Sequence, residues 1–207
     1  MRVQRHVPIG SAAYQRFFAG CARNIVDNMA YNSPWEYYHR LTGAANTAVA
    51  ATLFFFQTGI PGQTIQVSNL TQAGLLSAPE RALVTAVRFF FRSNMDQADQ
   101  DVFQVLAVLR FKVGKDYYAE GPLWMFPGGA GLAGFTTFGT RQTISNGLPD
   151  PRAINAWGGV NGVPIGISQT FLAEVQTTAF TTALAINGGT GFDITATLDA
   201  YRAREVG

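Results

Sequence analysis

The clearest pattern in the chain is a strict alternation of apolar and polar residues near its C-terminal end, over residues 192–201. Successive side chains of a β-strand point to opposite faces of the sheet, so a period of two indicates a half-buried strand. One predicted face is polar, and it holds Asp193, Thr195, Thr197, Asp199 and Tyr201. The other predicted face lies against a core, and it holds Phe192, Ile194, Ala196, Leu198 and Ala200.

Similar short apolar or alternating segments recur from residue 51 onwards, and Gly, Pro and Asn residues separate them. Gly114 stands in the turn of a predicted tight hairpin. In one long strand, a single face is predicted to hold Thr85 together with Leu83, Val87, Phe89 and Phe91. The predicted strands cover residues 52–57, 63–68, 83–92, 109–113, 116–120, 169–177, 180–186 and 192–202.

The connections between these strands are long and irregular, which favours a Greek-key or jelly-roll sandwich over a simple meander. We therefore expect an all-β fold, a single jelly-roll or Greek-key sandwich of about eight strands. A polar stretch rich in Asp and Gln predicts a short helical excursion near residues 95–105. We find no internal repeat and no second domain.

The N-terminal segment has a different pattern, because its apolar residues recur every three or four positions, as in an amphipathic helix. The apolar stripe within residues 12–30 consists of Tyr14, Phe17, Phe18, Cys21, Ile25 and Met29, with Ser11 as N-cap. Residues 1–42 carry five arginines against two acids. We predict a basic helical arm over residues 1–46 and a jelly-roll β-sandwich over 47–207. Such an arm packs on its own domain, on a neighbouring subunit or on a lipid surface.

Composition narrows the class of protein. Charged residues make up only 14% of the chain, against roughly 25% in an average soluble domain. A low-charge exterior favours coverage by neighbouring subunits. No apolar run reaches the ~18 residues of a membrane-spanning helix. Met1 to Gly10 is polar and basic with no apolar segment behind it, so we expect no signal peptide.

Residues that perform chemistry are scarce, since the chain has two His, one Cys and two Lys. His6 and His39 both lie in the predicted arm, and no Gly-x-Ser-x-Gly motif accompanies them, which argues against a nucleophilic triad. A cupin-type metal site needs several His residues on the barrel strands, and the predicted sandwich has none. We expect no enzyme, and we assign no catalytic, cofactor-binding or metal-binding residue.

Other candidate motifs also favour ordinary structural roles. A Gly-rich run at residues 128–134 is not followed by Gly-Lys-Ser/Thr, so it predicts a connection instead of a phosphate loop. The net charge of +2 and the scattered basic residues predict no specific nucleic-acid recognition. A loop without the Gly and distal Glu of an EF-hand, predicted to be solvated, contains Asp96, Asp99 and Asp101. Acids on or near strands, with no pair singled out for glycoside hydrolysis, are Asp116, Glu120 and Glu174.

Two segments, FQTGIPGQTIQVSNL at residues 56–70 and YAEGPLWMFPGG at residues 118–129, resemble jelly-roll major capsid proteins of tailless icosahedral, membrane-containing bacteriophages. The resemblance extends over residues 50–203. It implies a structural subunit of the virion that self-assembles into an icosahedral shell through loops, strand faces and the arm. The implied partners are copies of the chain and other capsid proteins, and the internal membrane where the arm reaches it through Arg2, Arg5, Arg16 and Arg23.

A second hypothesis is a non-enzymatic β-sandwich that recognises a glycan or a host receptor. Such a binding module presents exposed aromatic side chains along one strand face, and the candidates are Tyr117, Tyr118 and Trp124. A third hypothesis, an enzyme of unfamiliar type, is disfavoured by the shortage of His, Cys and Lys. The assembly state of the chain distinguishes the first two hypotheses.

Overall fold

A computed structural model describes residues 32–57, 67–91, 95–126, 133–138, 141–146, 162–183 and 191–203. They form antiparallel sheets with one short α-helix, so the chain is an all-β protein, as predicted. The strands are β1 (Asn32–Thr42), β2 (Ala48–Val49), β3 (Thr52–Phe55), β4 (Arg81–Phe91), β5 (Val108–Val113), β6 (Asp116–Pro122), β7 (Ala133–Phe138), β8 (Arg141–Asn146), β9 (Val163–Ile165), β10 (Phe171–Gln176), β11 (Phe180–Thr181) and β12 (Asp193–Ala203). The helical segments are α1 (Gln97–Asp101), a π-helix (Val102–Leu106) and a 3₁₀-helix (Leu123–Met125).

Eight of these strands form two four-stranded sheets. The first sheet has the order β1-β12-β4-β9, and the second has the order β3-β10-β5-β6. All neighbouring strands in both sheets are antiparallel. Two further pairs, β2 with β11 and β7 with β8, complete the described strands.

The pairing of these eight strands is nested. Taken in chain order, the first strand (β1) pairs with the eighth (β12), and the second (β3) pairs with the seventh (β10). The third (β4) pairs with the sixth (β9), and the fourth (β5) pairs with the fifth (β6) in a hairpin. The β12–β4 and β10–β5 pairings then join these pairs into the two sheets.

The core lies where the apolar faces of the two sheets meet. Phe55 of the second sheet and Phe89 of the first sheet are both buried, and their ring centroids lie 5.4 Å apart in an edge-to-face arrangement. The predicted apolar face of β12 is confirmed, since every one of its residues belongs to the core cluster: Phe192, Ile194, Ala196, Leu198 and Ala200.

Strand β4 departs from the predicted face because it contains a β-bulge. Asp199 pairs with Ala86 and Ala200 pairs with Val84, so Thr85 is an extra residue in the register, and its hydroxyl donates to the Asp199 carbonyl at 3.1 Å. The bulge reverses the facing of the residues before it. Val84 therefore joins the core cluster, and the prediction that Leu83 shares a face with Val87 is wrong.

The sheet begins earlier in the chain than predicted. Residues 32–42, which the boundary at residue 46 placed in the arm, form β1 and pair along their whole length with β12. The aromatic cluster at residues 35–39 is thus part of a strand, in which Tyr37 and His39 are buried. Residues 1–31, with the predicted helix and the arginines at positions 2, 5, 16 and 23, lie outside the described residues, as do residues 58–66.

The predicted hairpin and helical excursion are both confirmed. Strands β5 and β6 are joined by a tight turn, and Gly114 in this turn has a φ of +61°. The helix α1 and the π-helix that follows it lie within the predicted excursion. Asp96 caps α1, because its side chain accepts a hydrogen bond from the backbone N–H of Ala98 at 2.9 Å.

The turn conformation predicts the effect of a substitution at Gly114. A Cβ added there meets nothing closer than the Gln169 amide nitrogen, at 3.6 Å, so the cost is backbone strain alone. Gly114→Ala is expected to lower the free energy of unfolding by about 1–2 kcal/mol, because alanine disfavours positive φ. Gly114→Asn is the matched control, since asparagine visits this region more readily. Equal losses for the two variants, measured by urea denaturation, would contradict this explanation.

Candidate functional site

The polar face of the first sheet carries a network of charged side chains that crosses three strands. Arg88 on β4 donates to Asp199 on β12 at 2.6 Å and to Glu36 on β1 at 2.9 Å. A second pair on the same sheet joins Arg40 and Asp193, at 2.6 and 2.7 Å between donor and acceptor atoms. The two carboxylates on the polar face of β12 are therefore each paired with an arginine, one from β1 and one from β4.

This network is partly removed from water. The side chain of Arg88 is 8% exposed and that of Asp199 is 24% exposed. Burial raises the pKa of Asp199 above its usual range, and the Arg88 guanidinium opposes that rise. A hydrogen-bonded network of this kind holds the neighbouring strands in alignment.

His39 is a core residue that bonds the backbone of a neighbouring segment. It is 3% exposed, and its Nδ1 accepts a hydrogen bond from the backbone N–H of Phe56 at 2.9 Å. Phe56 has a φ of +65°, so this bond holds a residue in a backbone conformation that phenylalanine rarely adopts. Burial lowers the pKa of His39, which keeps the imidazole neutral and the Nδ1 acceptor available.

The lowered pKa of His39 predicts a loss of stability on acidification. The unfolded chain binds a proton at His39 near pH 6.5, whereas the folded chain does so only at lower pH. Stability from this residue is therefore present above pH 6.5 and falls as the pH drops below it. In His39→Asn, the amide oxygen can replace the Nδ1 acceptor without titrating.

Urea denaturation at several pH values between 5 and 7.5 tests the role of His39. We expect the wild-type chain to lose more stability than His39→Asn does over this range. Asp199 and Asp99 have raised pKa values, so each contributes with the opposite sign, gaining stability as the pH falls, in both chains alike. Identical pH profiles for the two chains would show that His39 does not titrate in this range.

The three aspartates of the predicted acidic loop perform different structural tasks. Asp96 caps α1, and Asp99 is buried and accepts the backbone N–H of Ala183 through both carboxylate oxygens at 3.1 Å. Burial raises the pKa of Asp99. Asp101 is exposed. The prediction of a wholly solvated loop is therefore wrong for Asp99, which ties the segment around α1 to the segment after β11.

Two of the acids on the second sheet, Glu120 and Glu174, contact neighbouring side chains, whereas Asp116 is exposed at the start of β6. Arg110 donates to Glu120 at 2.7 Å, and Glu174 lies beside Arg110 in the strand register and accepts from Gln176 at 2.5 Å. Within the described part of the chain, no group of three or more His, Cys, Asp or Glu side chains is arranged to hold a metal ion.

The aromatic side chains predicted to line one binding face are exposed, but they do not lie together. Tyr117 and Tyr118 are adjacent at the start of β6, where a bulge at Tyr118 leaves both exposed. Trp124 lies in the 3₁₀-helix beyond the other end of β6 and is 62% exposed. Because β6 rises about 3.3 Å per residue, the two locations are separated by roughly 20 Å.

Trp124 instead belongs to an exposed apolar surface that the sequence prediction missed. The 3₁₀-helix packs beside the π-helix, and the N–H of Leu123 donates to the carbonyl of Ala107 at 2.9 Å. The side chains that this contact brings together, hereafter the apolar end patch, are Val105, Leu106, Trp124 and Met125, which are 40–69% exposed. The available signal in the sequence was two adjacent apolar pairs, Val105-Leu106 and Trp124-Met125, each of which lies outside the predicted strands.

A π-helix at this position has a physical consequence. Phe103 is fully buried and its ring contacts Phe91, Phe180 and Phe192, with centroids 5.4–6.2 Å apart. The wider turn lets this ring anchor the segment while the following Val105 and Leu106 remain outside. Single π-turns are frequent at functional sites, and grouped exposed apolar side chains mark interaction surfaces.

Comparison of the chain with models of protein families, with curated proteins and with solved structures finds no match. Among the residues that the structure describes, no helix has the length and apolar character required to cross a membrane.

Proposed function

We propose that the two sheets form a single jelly roll and that the chain is a capsid subunit of a bacteriophage. The observation that carries the proposal is the nested strand pairing. When eight antiparallel strands pair first with eighth, second with seventh, third with sixth and fourth with fifth, rolling this long hairpin into two sheets gives a jelly roll. The nested pairing of the two described sheets supports this fold, and capsid proteins are among the proteins built on jelly rolls.

Within the jelly-roll group, the chemistry of this chain favours a structural role. Cupins on this fold hold a metal through several His residues, whereas the one His in the described strands is buried and bonded to the backbone of Phe56. The low charge of the chain and the apolar end patch both favour burial of its exterior by neighbouring subunits. The proposed partners are copies of the chain and other capsid proteins in the virion.

The proposed function also includes the N-terminal arm. In this proposal, residues 1–31 contact a neighbouring subunit or the lipid of an internal membrane through Arg2, Arg5, Arg16 and Arg23. The strand β1 begins at Asn32, so the arm ends there and not at residue 46.

Negative-stain electron microscopy of the purified chain tests the proposal. We expect closed particles at micromolar concentration under at least some salt conditions. Two truncations test the arm. A chain without residues 1–31 is expected to fold but to assemble poorly or to lose membrane binding. A chain without residues 1–42 also lacks β1, and we expect it not to fold, because β12 loses its partner along eleven residue pairs.

The outcomes separate the hypotheses. If no particles form at any salt concentration, the capsid proposal is contradicted. If the chain without residues 1–31 does not fold, that segment belongs to the core of the domain instead of an arm. Glycan binding by a stable monomer would favour the alternative of a binding module. The separation of Tyr117 from Trp124 argues against a single aromatic binding face in such a module.

A further inference from the structure

We infer that the apolar end patch binds the β5–β6 hairpin tip of a second copy of this chain, in a head-to-tail contact. The inference rests on the proposed function, because it names the surfaces through which copies would associate. The hairpin tip is defined here as Lys112, Lys115, Tyr117 and Tyr118.

The two surfaces are complementary in charge. Beside the π-helix side of the apolar end patch, the exposed carboxylate is that of Asp101, since Asp96 caps α1 and Asp99 is buried. Residues 112–118 contain both lysines of the chain and one acid, Asp116, which leaves a net charge of +1. A contact between two apolar end patches would bring like charges together, whereas a contact with the hairpin tip pairs opposite charges.

The hairpin tip also offers suitable side chains for an apolar partner. Tyr117 and Tyr118 are 56% and 41% exposed, and the Lys112 ammonium lies 5.5 Å from the centroid of the Tyr117 ring. Tyrosine is enriched at protein interfaces because it combines a large apolar ring with a polar end. Trp124 and Met125 on the opposing surface are also residue types enriched there.

The location of the surfaces determines what such a contact builds. They lie at opposite ends of β6, roughly 20 Å apart, so one copy can engage two neighbours at once through different surfaces. Contacts of this heterologous kind generate rings when the rotation between copies closes, and open filaments when it does not. The contact therefore supplies a lateral connection of the kind that a shell needs.

Charge reversal tests the pairing of Asp101 with Lys115. Asp101→Lys and Lys115→Asp are each expected to weaken association, and the double variant is expected to restore it, because the pair is then reversed and not lost. Association is measured by sedimentation velocity over a range of concentrations, with circular dichroism as the check on folding. Double variants that associate no better than the single ones would overturn the inference.

Truncation of the apolar side chain gives a second test. Trp124→Ala is expected to raise the concentration needed for association about thirtyfold, as for a central interface tryptophan. Phe54→Ala is the matched control, since Phe54 is also an exposed aromatic residue but lies on β3, at the far edge of the second sheet. Equal effects of the two substitutions would overturn the inference.

Cross-linking separates a failure of the inference from a failure of the proposed function. In a Cys21→Ser background, chains with Gln104→Cys and chains with Asp116→Cys are mixed with a short bismaleimide. Cross-links between the two kinds of chain support the contact. If such cross-links form but no particle does, the proposed capsid function is contradicted and the contact is not. Particles without these cross-links would overturn the contact alone, as would cross-links between two Gln104→Cys chains. A chain that remains monomeric without cross-links would contradict both.

Discussion

Phe55→Ala is expected to lower the free energy of unfolding by about 3–5 kcal/mol, the range found when a buried phenylalanine is truncated. Phe55 is fully buried on β3 of the second sheet, and its ring meets the edge of Phe89 on the first sheet at 5.4 Å. The substitution removes an aromatic contact that spans the two sheets, and it leaves a cavity between strands that cannot collapse without moving a sheet.

The adjacent residue provides the control for this prediction. Phe54 belongs to the same strand but is 42% exposed, so Phe54→Ala removes less buried area, leaves no closed cavity and is expected to cost about half as much or less. Urea denaturation followed by tryptophan fluorescence, at equal protein concentration, measures both variants. Similar losses for Phe54→Ala and Phe55→Ala would mean that the two sheets do not pack through the face of β3 described above.

Arg88→Leu is expected to lower the free energy of unfolding by about 3 kcal/mol, because it leaves the partly buried Asp199 carboxylate without its cation. The loss should be smaller at pH 4 than at pH 7. Without Arg88, the pKa of Asp199 rises further, and the protonated, neutral form of the carboxyl becomes available as the pH falls.

Two comparisons identify the cause of this loss. The double variant Arg88→Leu/Asp199→Leu is expected to be more stable than Arg88→Leu alone, since no unpaired charge remains buried. Arg110→Leu breaks an exposed pair with Glu120 on the other sheet and is expected to leave stability unchanged within error. A double variant less stable than the single one would show that the charge network contributes more than its desolvation costs.

The sequence predicted those strands in which apolar and polar residues alternate in step with the buried and exposed faces. The alternation in residues 192–201 placed β12 and its core face correctly, and Gly114 marked the hairpin turn. Strand β1 could not be predicted in this way, because its buried positions hold Tyr37 and His39 and its outward positions include Tyr38. Because Tyr37 and His39 carry polar groups, their burial does not produce the apolar–polar alternation by which a strand is recognised in the sequence.

Other features depend on pairing that a single sequence does not contain. The bulge at Thr85 exists only relative to β12, so periodicity within β4 assigned Leu83 to the wrong face. The neutralisation of Asp199 requires Arg88 and Glu36 from two other strands. The apolar end patch depends on the contact between the π-helix and the 3₁₀-helix, which are separated in the chain by the β5–β6 hairpin.

The central claim is that a nested eight-stranded sandwich with few reactive residues serves as a building block, and the mass of the purified chain in solution tests it most directly. Analytical ultracentrifugation across concentration and salt measures that mass without labels. We predict a discrete, rapidly sedimenting particle of many chains in equilibrium with small oligomers. A single species with the mass of one chain, under every condition up to high micromolar concentration, would contradict the claim.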